Sequence, residues 1–132
     1  MPFVLDASVA ACWAFDDEDH PIATSALDRL RGDEAHVPSL WWFEIRNVLV
    51  VSERRGRIAE TAVARFLARL SQLPIWIDRE PVDAELLGAA RRHRLSAYDA
   101  AYLELASRLS APLATLDASL AKAAAAAGAA FP

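Results

Sequence analysis

The residues of this chain best suited to chemistry are four carboxylates far apart in sequence: Asp6, Glu44, Asp99 and Asp117. Asp6 directly follows the apolar run Phe3-Val4-Leu5, and Asp117 follows Leu113-Ala114-Thr115-Leu116, so each stands where a strand gives way to a helix. Asp99 falls in the first turn of a helix capped by Ser96. Glu44 falls in the second turn of a long helix that Pro38-Ser39 opens. In a parallel sheet the strand-to-helix junctions share one edge, where open α/β sheets form their ligand sites, so all four acids can face one crevice. Two ionised carboxylates about 4 Å apart repel by roughly 4 kcal/mol at an effective dielectric near 20, and a set of four calls for a compensating cation. Oxygen ligands select a hard ion. Mg²⁺, with Mn²⁺ as a substitute, keeps several waters, uses one or two protein carboxylates and takes substrate phosphate into its shell. The chemistry that follows is attack of a metal-activated water on a phosphodiester, with no protein nucleophile.

Each acid also has a plainer reading. Taken singly, Asp6 and Asp117 are better read as helix N-caps, and Ser96-Ala97-Tyr98-Asp99 has the form of a capping box. Glu44 differs, because Trp41, Trp42, Phe43, Ile45, Val48 and Leu49 surround it in sequence and an unpaired carboxylate among them is costly. It calls for a partner charge or a metal close by.

The elements that must position these acids follow from periodicity and breakers. Strands are expected at Pro2 to Leu5, Ala35 to Val37, Pro74 to Ile77 and Leu113 to Leu116, with Ala129 to Phe131 as an edge strand. Helices are expected after Asp6 through Phe15, over Ile22 to Leu30 with the acids Asp16 to Asp19 at its start, and from Ser39 to about Arg55. Further helices cover Ala59 to Leu73, Val82 to His93, Ser96 to Leu109, and Asp117 through the alanine-rich run before Gly128. Short apolar strands alternating with helices give a three-layer α/β/α fold with a short central parallel sheet. With 132 residues, one domain spanning 1–132 is expected.

The set as a whole resembles a PIN domain: Val4-Leu5-Asp6-Ala7-Ser8, Glu44-Ile45-Arg46-Asn47, Ser96-Ala97-Tyr98-Asp99-Ala100-Ala101-Tyr102 and Leu113-Ala114-Thr115-Leu116-Asp117, in this order across nearly the whole chain. The nearest variety is the VapC-type ribonuclease toxin of a type II toxin–antitoxin pair. The resemblance implies an endoribonuclease in which Asp6 and Asp99 bind Mg²⁺, Glu44 and Asp117 complete the acidic site, and Ser8, Asn47 and Thr115 support it from behind. It also implies an RNA substrate, a VapB-like antitoxin, a homodimer, and Trp13 and Phe15 as antitoxin-groove residues. One departure is Tyr102, where some PIN nucleases carry a further acid; this favours one metal over two. Glu104 points elsewhere on its helix.

Arg54, Arg55 and Arg57 cluster at the end of the long helix, and Arg91, Arg92, His93 and Arg94 lie just before Asp99. The arginines can hold phosphates, or they can be solvated helix ends favoured by the dipole. His20, His36 and His93 show no metal-ligand spacing. Trp41, Trp42 and Phe43 point about 100° apart on a helix, so one core cannot receive all three, and part of the set is expected to meet another chain. Cys12 is the only cysteine, which excludes an internal disulfide and fits a reducing cytoplasm. No apolar stretch is long enough to cross a membrane, and a net charge of −4 argues against general nucleic-acid coating while leaving a cation-dependent nuclease open. Two other readings remain: a phosphoryl-transfer domain, for which Asp78 ends a strand, and a non-catalytic interaction module.

Overall fold

A computed structural model describes all of residues 1–132. Four strands, β1 (Phe3–Leu5), β2 (Ala35–Pro38), β3 (Ile75–Asp78) and β4 (Leu113–Ala114), form one parallel sheet in the order β3-β2-β1-β4. Every residue of β1 is fully buried, as expected for a central strand covered on both faces, where an unbroken apolar run replaces alternation. Seven helices flank the sheet: α1 (Ala7–Cys12), α2 (Pro21–Arg29), α3 (Leu40–Arg54), α4 (Glu60–Leu70), α5 (Asp83–His93), α6 (Ala97–Leu109) and α7 (Ala118–Ala126). The fold is the α/β arrangement expected. From β1 the chain moves outward to β2 and β3, then crosses back to place β4 on the other side of β1. With right-handed crossovers, that reversal puts the two sets of helices on opposite faces and opens a crevice between the carboxyl ends of β1 and β4.

The helix that crosses back is the most buried. Along α6, every residue from Ala100 to Ala106 is buried, and the helix lies against β1, β2 and β4. Ser96 caps it by accepting from the Asp99 amide at 3.1 Å, and Ser110, in the left-handed region at φ 50, ends it. The alanine-rich run is helical, as propensity dictates.

Several expected boundaries move for identifiable reasons. The Ala129 to Phe131 strand reduces to a single bridge between Ala130 and Leu113, while the Phe131 ring packs 5.5 Å from Phe3, with the Arg29 guanidinium over both. β4 stops at Ala114, and just beyond it the Thr115 hydroxyl accepts from the Asp117 amide in a side-chain turn. α4 ends at Leu70, three residues early, in a turn that leads to Pro74. The acids Asp16 to Asp19 do not cap α2, whose N-cap is His20 followed by Pro21; Asp17 and Glu18 instead pair with Arg57 at 3.3 and 3.6 Å.

One buried acid lies outside the crevice. Glu104, 4% exposed on α6, is held by Arg108 at 2.9 Å, and Arg108 also makes two 2.9 Å bonds to Asp78 at the end of β3. Removing the guanidinium leaves a buried carboxylate without its counter-charge. Arg108→Ala is expected to destabilise the fold by about 3 kcal/mol, read by urea denaturation.

Candidate active site

The crevice is built from the ends of β1 and β4. Asp6 occupies the N-cap position of α1, yet its side chain does not cap: the Ser8 and Thr115 hydroxyls both donate to its Oδ2, each at 2.7 Å. These hydroxyls are themselves held. Ser8 Oγ accepts from the Leu116 amide at 3.0 Å, and Thr115 Oγ1 accepts from the Asp117 amide at 3.0 Å. The β1–α1 and β4–α7 junctions are thereby tied together, Asp6 is fixed while 7% exposed, and no protein donor reaches its Oδ1.

Glu44 enters from α3. Half-buried, it accepts a 2.5 Å hydrogen bond from the Tyr102 hydroxyl of α6. Burial pushes its carboxyl above the usual range, the Tyr102 bond pulls the other way, and the charges of Asp6 and Asp99 add to the rise. Burial, the Asp6 charge and the bond to Glu44 hold the Tyr102 phenol well above its ordinary pKa, so it remains a protonated donor. Asp99 is also raised, by burial and then by the charges of Asp117 and Asp6. Asp117 is exposed and caps α7, accepting from the Leu120 amide at 2.8 Å. The four acids thus share one electrostatic neighbourhood, although Asp117 is at the same time an ordinary cap.

None of the chain's ion pairs involves these four carboxylates. Even Arg46, two residues from Glu44, turns away and stacks 3.8 Å over the Trp42 ring. The donor set therefore fits a hard cation supplied from outside. No three Asp, Glu, His or Cys side chains are placed to hold an ion by themselves.

The supporting residues divide. Ser8 and Thr115 contact Asp6 directly, whereas Asn47, one turn beyond Glu44, is exposed and bonds to none of the acids. Tyr102, which sequence reasoning weighed only as a missing acid, is the direct partner of Glu44. A tyrosine one turn after Asp99 was the available signal, but its partner lies 58 residues away in the chain. Of the arginines, Arg54, Arg55 and Arg91 are exposed, and Arg92 and Arg94 line a groove against α7. Arg57 is committed to Asp17 and Glu18 and lies 4.3 Å over Phe15, which is consequently buried; the half-buried Trp13 donates its indole N–H to Ala23 O at 2.9 Å. Asp78, the acid on which a phosphoryl-transfer reading depends, is neutralised by Arg108. The aromatic triplet splits as helical geometry requires: Trp41 is 5% exposed, Trp42 42% and Phe43 69%.

Comparison with known proteins agrees with the fold. The PIN domain family model matches residues 3–126. Ribonuclease VapC3 of Pyrobaculum aerophilum is 31% identical over 126 residues, covering 92% of this chain and 94% of that one. In fold, the crystal structure of PAE2754 from Pyrobaculum aerophilum superposes with a TM-score of 0.76 at 21% identity, covering 99% of this chain and 88% of the other.

The raised carboxyls carry a pH signature. Glu44 and Asp99 bind protons more readily folded than unfolded, so their favourable contribution is complete below the unfolded carboxylate pKa of about 4. It is lost as pH rises through the raised folded values. In EDTA at about pH 8, Glu44→Gln and Asp99→Asn should therefore melt a few degrees above the wild type, a difference that shrinks toward about pH 4 in a calorimetric pH series.

Proposed function

The chain belongs to the PIN-domain family, and from that premise we propose that it is a metal-dependent endoribonuclease acting in the cytoplasm as the toxin of a toxin–antitoxin pair. The observation that carries the reading is the unneutralised set Asp6, Glu44, Asp99 and Asp117 at the sheet's switch point, in a chain 31% identical to a protein named as a VapC ribonuclease. Asp6 and Asp99 would hold a Mg²⁺ or Mn²⁺ ion, with Glu44 and Asp117 completing the site. Such an ion, when bound, supplies the Lewis acidity that activates water toward a phosphodiester.

The chain's own residues do the rest. Ser8 and Thr115 occupy Oδ2 of Asp6 and leave Oδ1 without a protein donor, free to take a cation. Tyr102 fixes one oxygen of Glu44, and burial makes that carboxylate more basic, which suits it to accept a proton from the attacking water. Arg54, Arg55, Arg91, Arg92 and Arg94, none of them in an ion pair with an acid, supply phosphate contacts that position RNA without reading its sequence. The exposed Trp42 and Phe43 suit contact with a second copy in a homodimer, and a VapB-like antitoxin is the expected inhibitor.

The test is cleavage of total bacterial RNA by antitoxin-free protein, in Mg²⁺ or EDTA, beside Asp6→Asn and Asp99→Asn. Discrete fragments that require Mg²⁺ and fall by at least about 100-fold in both variants are expected. Undiminished cleavage in EDTA or in either variant overturns the assignment. A subtler outcome is expected of Thr115→Val: with one hydroxyl gone from Asp6, cleavage falls by about 10-fold and the Mg²⁺ concentration needed for half-maximal activity rises.

A further inference from the structure

We propose that the groove between the end of α5 and one face of α7 binds the sugar–phosphate backbone of the RNA, away from the bond that is cut, without reading sequence. The inference rests on the ribonuclease reading above and names a place where the substrate strand continues. The groove has a volume of about 460 Å³ and is lined by Arg92, His93 and Arg94 from the end of α5 and by Ser119, Lys122, Ala123 and Ala126 from α7. The four α7 residues recur at i, i+3, i+4 and i+7, one helical face.

Charge identifies the ligand. Arg92, Arg94 and Lys122 are exposed, none forms an ion pair, and no acid lines the groove, in a chain whose net charge is −4. The neighbouring cavity between α5 and α6 is different: Glu85 and Glu104 line it together with Arg108, so its charges are mixed. A helix dipole accounts for cations in the last turn of α5, but Lys122, the chain's only lysine, sits in the middle of α7, where the dipole gives it no advantage. Arg94 holds φ at 53, where a glycine would end α5 with less strain, and this places one more cation at the groove.

Shape identifies how the ligand is read. The alanines of the lining let a backbone approach closely, and apart from the half-buried imidazole of His93 no ring is present on which a base could stack, so donors and positive charge predominate. Its position links it to the acids. Asp117 caps α7, Ser119 lies in the first turn and Lys122 in the second, while the end of α5 leads through Leu95 to the Ser96 cap and Asp99. Both walls therefore lead toward the site from which the strand would come.

The experiment measures binding of single-stranded RNA oligonucleotides of differing composition by fluorescence anisotropy over a salt series. Asp6→Asn protein is used throughout so that nothing is cut. Arg92→Gln with Lys122→Gln, both exposed positions, is expected to weaken binding about tenfold for every oligonucleotide and to reduce the slope of log affinity against log salt by about 0.7 for each phosphate no longer neutralised. Arg65→Gln with Arg69→Gln on α4 removes the same charge and should change little; thermal melts check that all variants are folded. Unchanged affinity and slope in the groove variant, while wild-type protein still cleaves RNA, overturns the groove and leaves the ribonuclease reading standing. A loss confined to one oligonucleotide overturns the claim of sequence-independent contact. Retained RNA affinity with lost binding of polyglutamate reassigns the groove to an acidic protein partner, and wild-type protein that neither binds nor cuts RNA overturns both readings.

Discussion

Asp6 stands at the end of the central strand with two hydroxyls on one of its oxygens, and each hydroxyl is oriented by a backbone amide from the far end of the chain. This small network brings the two junctions flanking the crevice into register. Since β1 and β4 are 109 residues apart at these contacts, and β4 is only two residues long, the hydroxyls add a second fastening where the backbone ladder is shortest. The carboxylate cluster depends on it. If Asp6 were free to swing out, the fields that raise Glu44 and Asp99 would weaken, and the crevice would lose part of its concentrated negative charge.

The chain treats its two buried acidic regions in opposite ways. Around Glu104 it provides an arginine, and the region is a closed structural ion-pair network. At the crevice it provides only neutral donors, Ser8, Thr115 and Tyr102, although Arg46 is near in sequence and is stacked on Trp42 instead. Neutral donors hold carboxylates in place without cancelling their charge, so the crevice stays negative at some cost to the stability of the fold.

Much of this was legible in the sequence because local rules and global fold agree. The apolar run before Asp6, the Ser96 cap, the alanine helix and the divergence of Trp41, Trp42 and Phe43 all follow from periodicity and propensity within a few residues. The acids could be placed at one edge because parallel topology dictates where strand ends meet. What could not be read were partners fixed by tertiary contact. Tyr102 reaching Glu44, Arg57 drawing Asp17 and Glu18 away from α2, and Asn47 facing solvent each depend on the angle at which two helices or loops meet, which side-chain type does not encode. Asp117 shows the limit most clearly. The capping reading and the site reading were set against each other, yet one oxygen caps α7 while the charge is felt at Asp99.

The most direct test of the account is a Mg²⁺ titration of thermal stability in the wild type and in Asp6→Asn. A cation that binds only the folded crevice raises the melting temperature progressively with its concentration, by mass action, and that dependence should be largely abolished when Asp6 loses its charge. Equal responses in the two proteins, or no response in the wild type at millimolar Mg²⁺, would contradict the claim that this cluster is built for a cation.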